Sequence, residues 1–364
     1  MINKNKVLVG LMAIYFVSML IVSFIKADDE YSDTERRKLK QMPEANVEDI
    51  LEGSWMSDFE EYVLDQFPLR ESFRAIKAYT AFYGLLQKDN NGIYISDGYI
   101  SKLEYPLNEK GLYNAINKFT YIYDTFLKDN EQNVYYAVVP DKNYFMAKEN
   151  GYINLDYNQF FSILNDKLSF MNYIDIVNLL ELTDYYKTDI HWKQECIEDV
   201  AKYIGSQMGV ELLAEYEKHM ISRPFYGVYY GQLALPIKAD NMFYLNNQIL
   251  SECKVTDLQN NREIGIYDME LAEGKDPYEM FLSGSLSLIT IENPKAETDK
   301  ELIMFRDSFG SSIVPLFVDG YSKITLVDIR YISSQWLDKY IEFDSQDILF
   351  LYSVPVLNNG ELIK

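Results

Sequence analysis

The chain is short of the residues that build metal sites: two histidines and two cysteines in 364 residues. Cys196 and Cys253 form no CxxC or other metal-ligand spacing, so a zinc or iron–sulfur scaffold is not expected. A buried free thiol is the plain expectation for Cys196, with a single disulfide as the alternative outside a cell. Basic residues are also scarce, 34 Lys and Arg against 56 Asp and Glu, for a formal net charge of −22. Nucleic-acid binding needs a basic patch that displaces counterions, and none is visible, so nucleic acid is not an expected partner. One histidine among scattered carboxylates is not a ligand set, so neither metal nor cofactor is expected.

What is present is apolar and aromatic. Hydrophobic residues make up 48% of the chain, enough for a sizeable core, and there are 31 tyrosines. Most of those tyrosines read as half-buried packing; any beside a site would suit a glycan surface.

Val7 to Ile25 is an apolar run of nineteen residues, near the roughly 20 needed to cross a bilayer. Lys4 and Lys6 precede it, while Lys26 and then Asp28-Asp29-Glu30 follow. The positive-inside rule puts the short N-terminus in the cytoplasm and the rest outside. A cleaved signal peptide is the competing reading, but Ser23-Phe24-Ile25-Lys26-Ala27 is a poor cleavage site, so an uncleaved anchor is favoured.

The expected organisation is a cytoplasmic tip and anchor at 1–25, a tether and helical lead-in at 26–90, and an α/β domain at 91–364. From Asn46 to Leu86 the apolar spacing is helical, broken at Pro68. Strands are expected at Ile93–Ile95, Val134–Val139, Tyr173–Val177, Leu302–Phe305, Ile324–Ile329 and Ile348–Tyr352. Helices are expected at Tyr157–Leu168, Lys193–Met208, Gly310–Val318 and Ser333–Ile341. Such alternation predicts a mainly parallel sheet covered on both faces. The Gly/Pro-punctuated stretch 221–295 reads as a β-rich insertion flanking the site.

Ser308 follows a strand and opens a helix, where open α/β sheets place their sites. The helix N-terminus favours developing negative charge, and the N–H groups of Ser308 and of the residues just after it are candidate oxyanion donors. The alternative is that Asp307 and Ser308 merely cap the helix. Asp189 and His191, two apart on an extended segment, would point the same way, so Asp189 could orient His191 towards Ser308. Trp192 would wall the site. By itself that segment reads rather as a capped helix start with a packed His and Trp. His219, in Glu215-Tyr216-Glu217-Lys218-His219, reads as a solvated helix end.

These residues resemble the DHHW family and the related alginate-type O-acetyltransferases, whose fold is SGNH-hydrolase-like. The resemblance lies in Thr188-Asp189-Ile190-His191-Trp192, Arg306-Asp307-Ser308-Phe309 and Val327-Asp328-Ile329-Arg330-Tyr331. It extends to Asp65-Gln66-Phe67-Pro68-Leu69-Arg70, Asn91-Gly92-Ile93-Tyr94-Ile95 and Val139-Pro140-Asp141-Lys142. Two positions depart from the pattern: Ile190 stands where the family has its second His, and Glu195-Cys196 where it has Gly-Ala. The resemblance implies Ser308 as nucleophile, His191 as base and Asp189 as orienter. It offers Arg330, Tyr331, Lys142 and Trp192 as substrate contacts. It also implies a serine acyltransferase or esterase outside the cytoplasm that acetylates a cell-surface polysaccharide, served by a membrane-bound O-acyltransferase partner. The alternative is a non-catalytic glycan-binding or assembly component on the same fold.

Overall fold

A computed structural model describes residues 4–128 and 133–364. These fall into two compact units, one of residues 4–91 with 230–236, the other made of the rest.

In the first unit, helix α1 (Lys4–Ile25) is long and apolar enough to cross a membrane. Helix α2 (Ser54–Gln66) and helix α3 (Arg70–Tyr79) flank the break expected at Pro68, where Leu69 adopts a positive φ of 57°. The buried Gln66 amide ties the chain after α1 to α2. It accepts from Asp29 N–H at 2.9 Å and donates to the carbonyls of Asp29 and Lys40.

The second unit is built on an eight-stranded sheet. In chain order its strands are β1 (Val134–Val139), β2 (Asn172–Tyr173), β3 (Lys254–Asp257), β4 (Arg262–Ile264), β5 (Leu288–Glu292), β6 (Glu301–Arg306), β7 (Lys323–Val327) and β8 (Asp347–Ser353). Across the sheet the order is β4-β3-β5-β7-β6-β8-β1-β2. The run β7-β6-β8-β1-β2 is parallel, and β5, β3 and β4 continue it antiparallel. The stretch 221–295 mixes short strands with short helices, and three of its strands, β3, β4 and β5, extend the central sheet.

Side chains alternate across the sheet as a pleated strand requires. Along β6, Leu302 and Met304 enter one core with α6 (Glu198–Gln207). Ile303 and Phe305 enter the other, with α4 (Glu109–Ile122) and α5 (Tyr157–Lys167). The pairing of Phe305 with Val327, Arg306 with Leu351 and Ser353 with Val139 brings the carboxyl ends of β7, β6, β8 and β1 to one edge.

Several expected elements are shorter or tighter than the periodicity suggests. The strand at 173–177 pairs only through Tyr173, and Val177–Leu179 is a 3₁₀ turn. The helix after Trp192 begins as a separate 3₁₀ turn, Gln194–Cys196. The helix after Ser308, α7 (Ser308–Ile313), gives way to 3₁₀ at Val314, with Pro315 next in the chain. Ser334–Lys339 is 3₁₀ throughout. Both cysteines are free; Cys196 is exposed rather than buried, and Cys253 is half-buried.

Candidate active site

The turn that carries Ser308 is fixed from two sides. Asp307 is fully buried and caps α7, its Oδ1 accepting the Phe309 N–H at 3.0 Å. Its Oδ2 accepts from Ser353 N–H at 2.8 Å and Ser353 Oγ at 2.6 Å, which locks the end of β8 to the end of β6. Gly310 packs against the strand it has just left: an added Cβ would lie 2.5 Å from Arg306 Cβ. Ser308 itself is half-buried.

This capping corrects the expected oxyanion arrangement. The Phe309 N–H is committed to the Asp307 carboxylate and the Gly310 N–H to the Asp307 carbonyl, at 3.1 Å. Ser308's own N–H is the amide of this turn left for an oxyanion.

His191 comes from the tip of a pinched loop. Tyr185 pairs with Trp192, the Tyr186 N–H bonds the His191 carbonyl at 3.1 Å, and residues 187–191 form the bend between them. Asp189 and His191 are thus not on an extended segment. The contact is a local turn, in which Asp189 Oδ1 accepts the His191 backbone N–H at 3.1 Å and lies 2.6 Å from Nδ1. The other ring nitrogen, Nε2, lies 2.7 Å from Ser308 Oγ. A carboxylate only accepts, so Nδ1 carries the proton and Nε2 is left to accept from the serine hydroxyl. Asp189, His191 and Ser308 are therefore brought together in one hydrogen-bonded line.

The tip is held by residues that sequence reasoning did not single out. Asp240 accepts from Lys187 N–H at 2.9 Å, Thr188 N–H at 2.8 Å and Thr188 Oγ1 at 2.6 Å. The Gly227 N–H donates to Thr188 Oγ1 at 2.9 Å, and the Val228 N–H donates to Asp189 Oδ2 at 2.8 Å. Gly227 approaches so closely that an added Cβ would sit 2.3 Å from Asp189 Cβ. Tyr278 stacks on the imidazole, with ring centroids 3.8 Å apart and planes 8° from parallel. Burial holds its phenol well above the ordinary value, so it remains a neutral donor.

Two of the four expected substrate contacts are displaced from that role. Trp192 is fully buried, edge-on to Phe309, and donates Nε1–H to Ser312 Oγ at 2.8 Å. It anchors the loop from behind and walls no open cleft. Lys142 is 2% exposed, and its Nζ donates to the Tyr186 carbonyl at 3.0 Å and the Lys187 carbonyl at 3.4 Å. Burial lowers its pKa to about 7, against the opposing pull of Asp189. It supports the tip from within.

Arg330 sits beyond the end of β7, its Nε and Nη2 paired to Asp328 at 2.9 and 2.6 Å. Burial alone would lower the guanidinium pKa, and the Asp328 hydrogen bonds and charge overcome that and raise it. Tyr331 is about half exposed. The Arg330 guanidinium lies over the Tyr331 ring, 5.4 Å from its centroid, so the two residues pair with Asp328 and with each other.

No family model and no curated protein matches the sequence. Solved structures do. A DHHW family protein from Eubacterium siraeum DSM 15702 superposes with a TM-score of 0.59 at 20% identity, covering 75% of this chain and 94% of that one. The chain shares that protein's fold. Bacillus cereus PatB1 superposes with a TM-score of 0.57 at 19% identity, covering 74% of this chain and 97% of that one. The same protein with a sulfonyl adduct gives 0.58 at 17% identity, covering 74% and 96%. The mainly parallel α/β sheet expected from the sequence is thus the architecture observed, and these proteins share it.

Proposed function

We propose that the chain is a serine acyltransferase or esterase whose triad is Ser308, His191 and Asp189. One observation carries the reading: a buried carboxylate at 2.6 Å from one imidazole nitrogen and a strand-end serine hydroxyl at 2.7 Å from the other. His191 Nε2 takes the Ser308 proton as Oγ attacks an acyl ester, and Ser308's own N–H meets the developing oxyanion. The imidazolium returns that proton to the departing alcohol, leaving an acyl-enzyme. A sugar hydroxyl, or water in an esterase, then gives its proton to Nε2 and attacks the acyl carbon, and the proton passes back to Ser308. Asp189 stays ionised throughout and stabilises the imidazolium.

The motif resemblance supports acetyl as the acyl group and a cell-surface polysaccharide as acceptor. The apolar α1 supports a single-pass anchor with the main domain outside the cytoplasm. An acyl group made inside must then cross the bilayer, which the membrane-bound O-acyltransferase partner would provide.

The test is covalent labelling. PatB1 carries a sulfonyl adduct in its structure, so an aryl sulfonyl fluoride is the matched probe. Mass spectrometry is expected to find one adduct, on Ser308, with hydrolysis of an aryl acetate lost in parallel. A protein that neither labels nor hydrolyses the ester removes the catalytic reading and leaves the glycan-binding one. Acetylated oligosaccharide formed from an acyl donor separates transferase from esterase.

A further inference from the structure

The imidazole of His191 has a neighbour that the proton transfers do not require. Tyr278 lies on a 3₁₀ turn, Pro277–Met280, whose start is capped by Asp276 accepting the Tyr278 N–H at 3.1 Å. The ring is 5% exposed, and its hydroxyl donates to Ser312 Oγ at 2.8 Å. Ser312 Oγ also accepts Trp192 Nε1–H at 2.8 Å and donates to the Phe309 carbonyl at 3.3 Å. The plane of Tyr278 is therefore tied to both halves of the triad: to the residue after His191 and to the helix that Ser308 opens.

Two hydrogen bonds hold His191, at Nδ1 and Nε2. They resist a roll of the ring about its Cβ–Cγ bond only through the angular dependence of the two bonds. A parallel ring at 3.8 Å blocks that roll on one face. Phe309, centred 4.9 Å away and tilted by 55°, offers the imidazole no parallel face. The π face of Tyr278 also attracts the imidazolium when it forms. We infer that Tyr278 is a positioning residue that fixes the plane of the His191 imidazole between Asp189 and Ser308. Its catalytic consequence rests on the acyl-transfer reading; its geometry does not.

Two histidines make the test simple. In protein labelled with isotopic histidine, His219→Gln assigns the remaining imidazole to His191. The wild type is expected to show ring C–H protons shifted upfield by the Tyr278 ring current, and one tautomer with the proton on Nδ1. Tyr278→Phe keeps both signatures; Tyr278→Leu moves the protons downfield and mixes the tautomers. Sulfonylation of Ser308 is expected to slow roughly 10- to 100-fold in Tyr278→Leu through its maximal rate, with the half-saturating probe concentration unchanged.

A Tyr278→Leu protein with the wild-type tautomer and labelling rate overturns the inference while leaving the triad standing. If wild-type Ser308 never labels, the acyl-transfer reading falls and the tautomer comparison still decides for or against Tyr278. Should Tyr278→Leu fail to fold, Tyr278→Met carries the test. It fills the space without a flat ring, so mixed tautomers support the inference and an unchanged spectrum rejects it.

Discussion

The surroundings of the two histidines make a natural comparison. His219 looks superficially like a site: it stacks on Tyr244, with ring centroids 5.1 Å apart and planes at 24°, and lies 3.7 Å from Glu217. His191 has the same kinds of neighbour at 3.8 Å and 2.6 Å, and a hydroxyl as well. The side chain of His219 is 42% exposed and that of its carboxylate 86%, against 12% and 2% for His191 and Asp189. At 3.7 Å and in water, a His–Glu pair is weak and mobile. At 2.6 Å in a buried setting, the carboxylate sets the tautomer and holds the ring. Residue types alone do not make a base; burial and a second anchored edge do.

Removing each imidazole is the most direct way to break the comparison. His191→Ala is expected to lower kcat/KM for an aryl acetate on the order of 10⁴-fold or more. His219→Gln should stay within about twofold. Equal effects would mean that His191 is no more than a packed ring. Asp189→Asn comes next, with a loss of about 10³- to 10⁴-fold, because an amide can offer N–H where the tautomer needs an acceptor. Full activity in that variant would remove Asp189 from the triad.

Gly227→Ala probes the support of the His191 loop without replacing a triad member. Its Cβ would meet Asp189 Cβ at 2.3 Å and the Thr188 carbonyl at 2.4 Å. Backbone must move, taking with it the Gly227 and Val228 amides that bond Thr188 and Asp189. A fall in kcat of about 10²-fold is expected, with about 1–3 kcal/mol lost in urea unfolding. An unchanged kcat would show that Asp189 tolerates displacement.

The triad was legible because its residues lie in two short segments at strand and loop ends, where few roles compete. The sheet was legible for a similar reason: apolar runs such as Leu302–Phe305 and Ile348–Tyr352 are buried on both faces. The support was not. Gly227, Asp240 and Tyr278 act on residues 187–191 from far along the chain, and each reads locally as an ordinary turn or loop residue. Arg223-Pro224-Phe225-Tyr226-Gly227 announces a turn but cannot say what passes beneath it. In the sequence Lys142 and Trp192 look like ligand contacts because a polar or aromatic side chain near a motif looks available. Their burial follows from core packing that no local spacing encodes. The 3₁₀ turns at 194–196 and 334–339 were missed because an i, i+3 pattern is common to both helix types.

Lys142 offers the gentlest contrast with the region of His219, where Lys218 has a half-exposed side chain 3.9 Å from Glu195. Burial lowers the Lys142 pKa from 10.5 to about 7 in the fold. Between those values the unfolded chain binds more protons than the native one, so the native state gains stability as pH rises. The gain is complete above 10.5 and is lost as pH falls through about 7. Urea unfolding of the wild type is therefore expected to show more stability at pH 9 than at pH 7 relative to Lys142→Met, by at most about 1.4 kcal/mol per pH unit. The hydrogen bonds from Nζ to the Tyr186 and Lys187 carbonyls favour the charged form and bring the slope below that ceiling. Lys218→Met, at a solvated position, should leave the pH dependence unaltered over the same range. Parallel curves for the wild type and Lys142→Met would mean that the buried ammonium keeps its proton throughout, held by those two carbonyls and the nearby Asp189 charge.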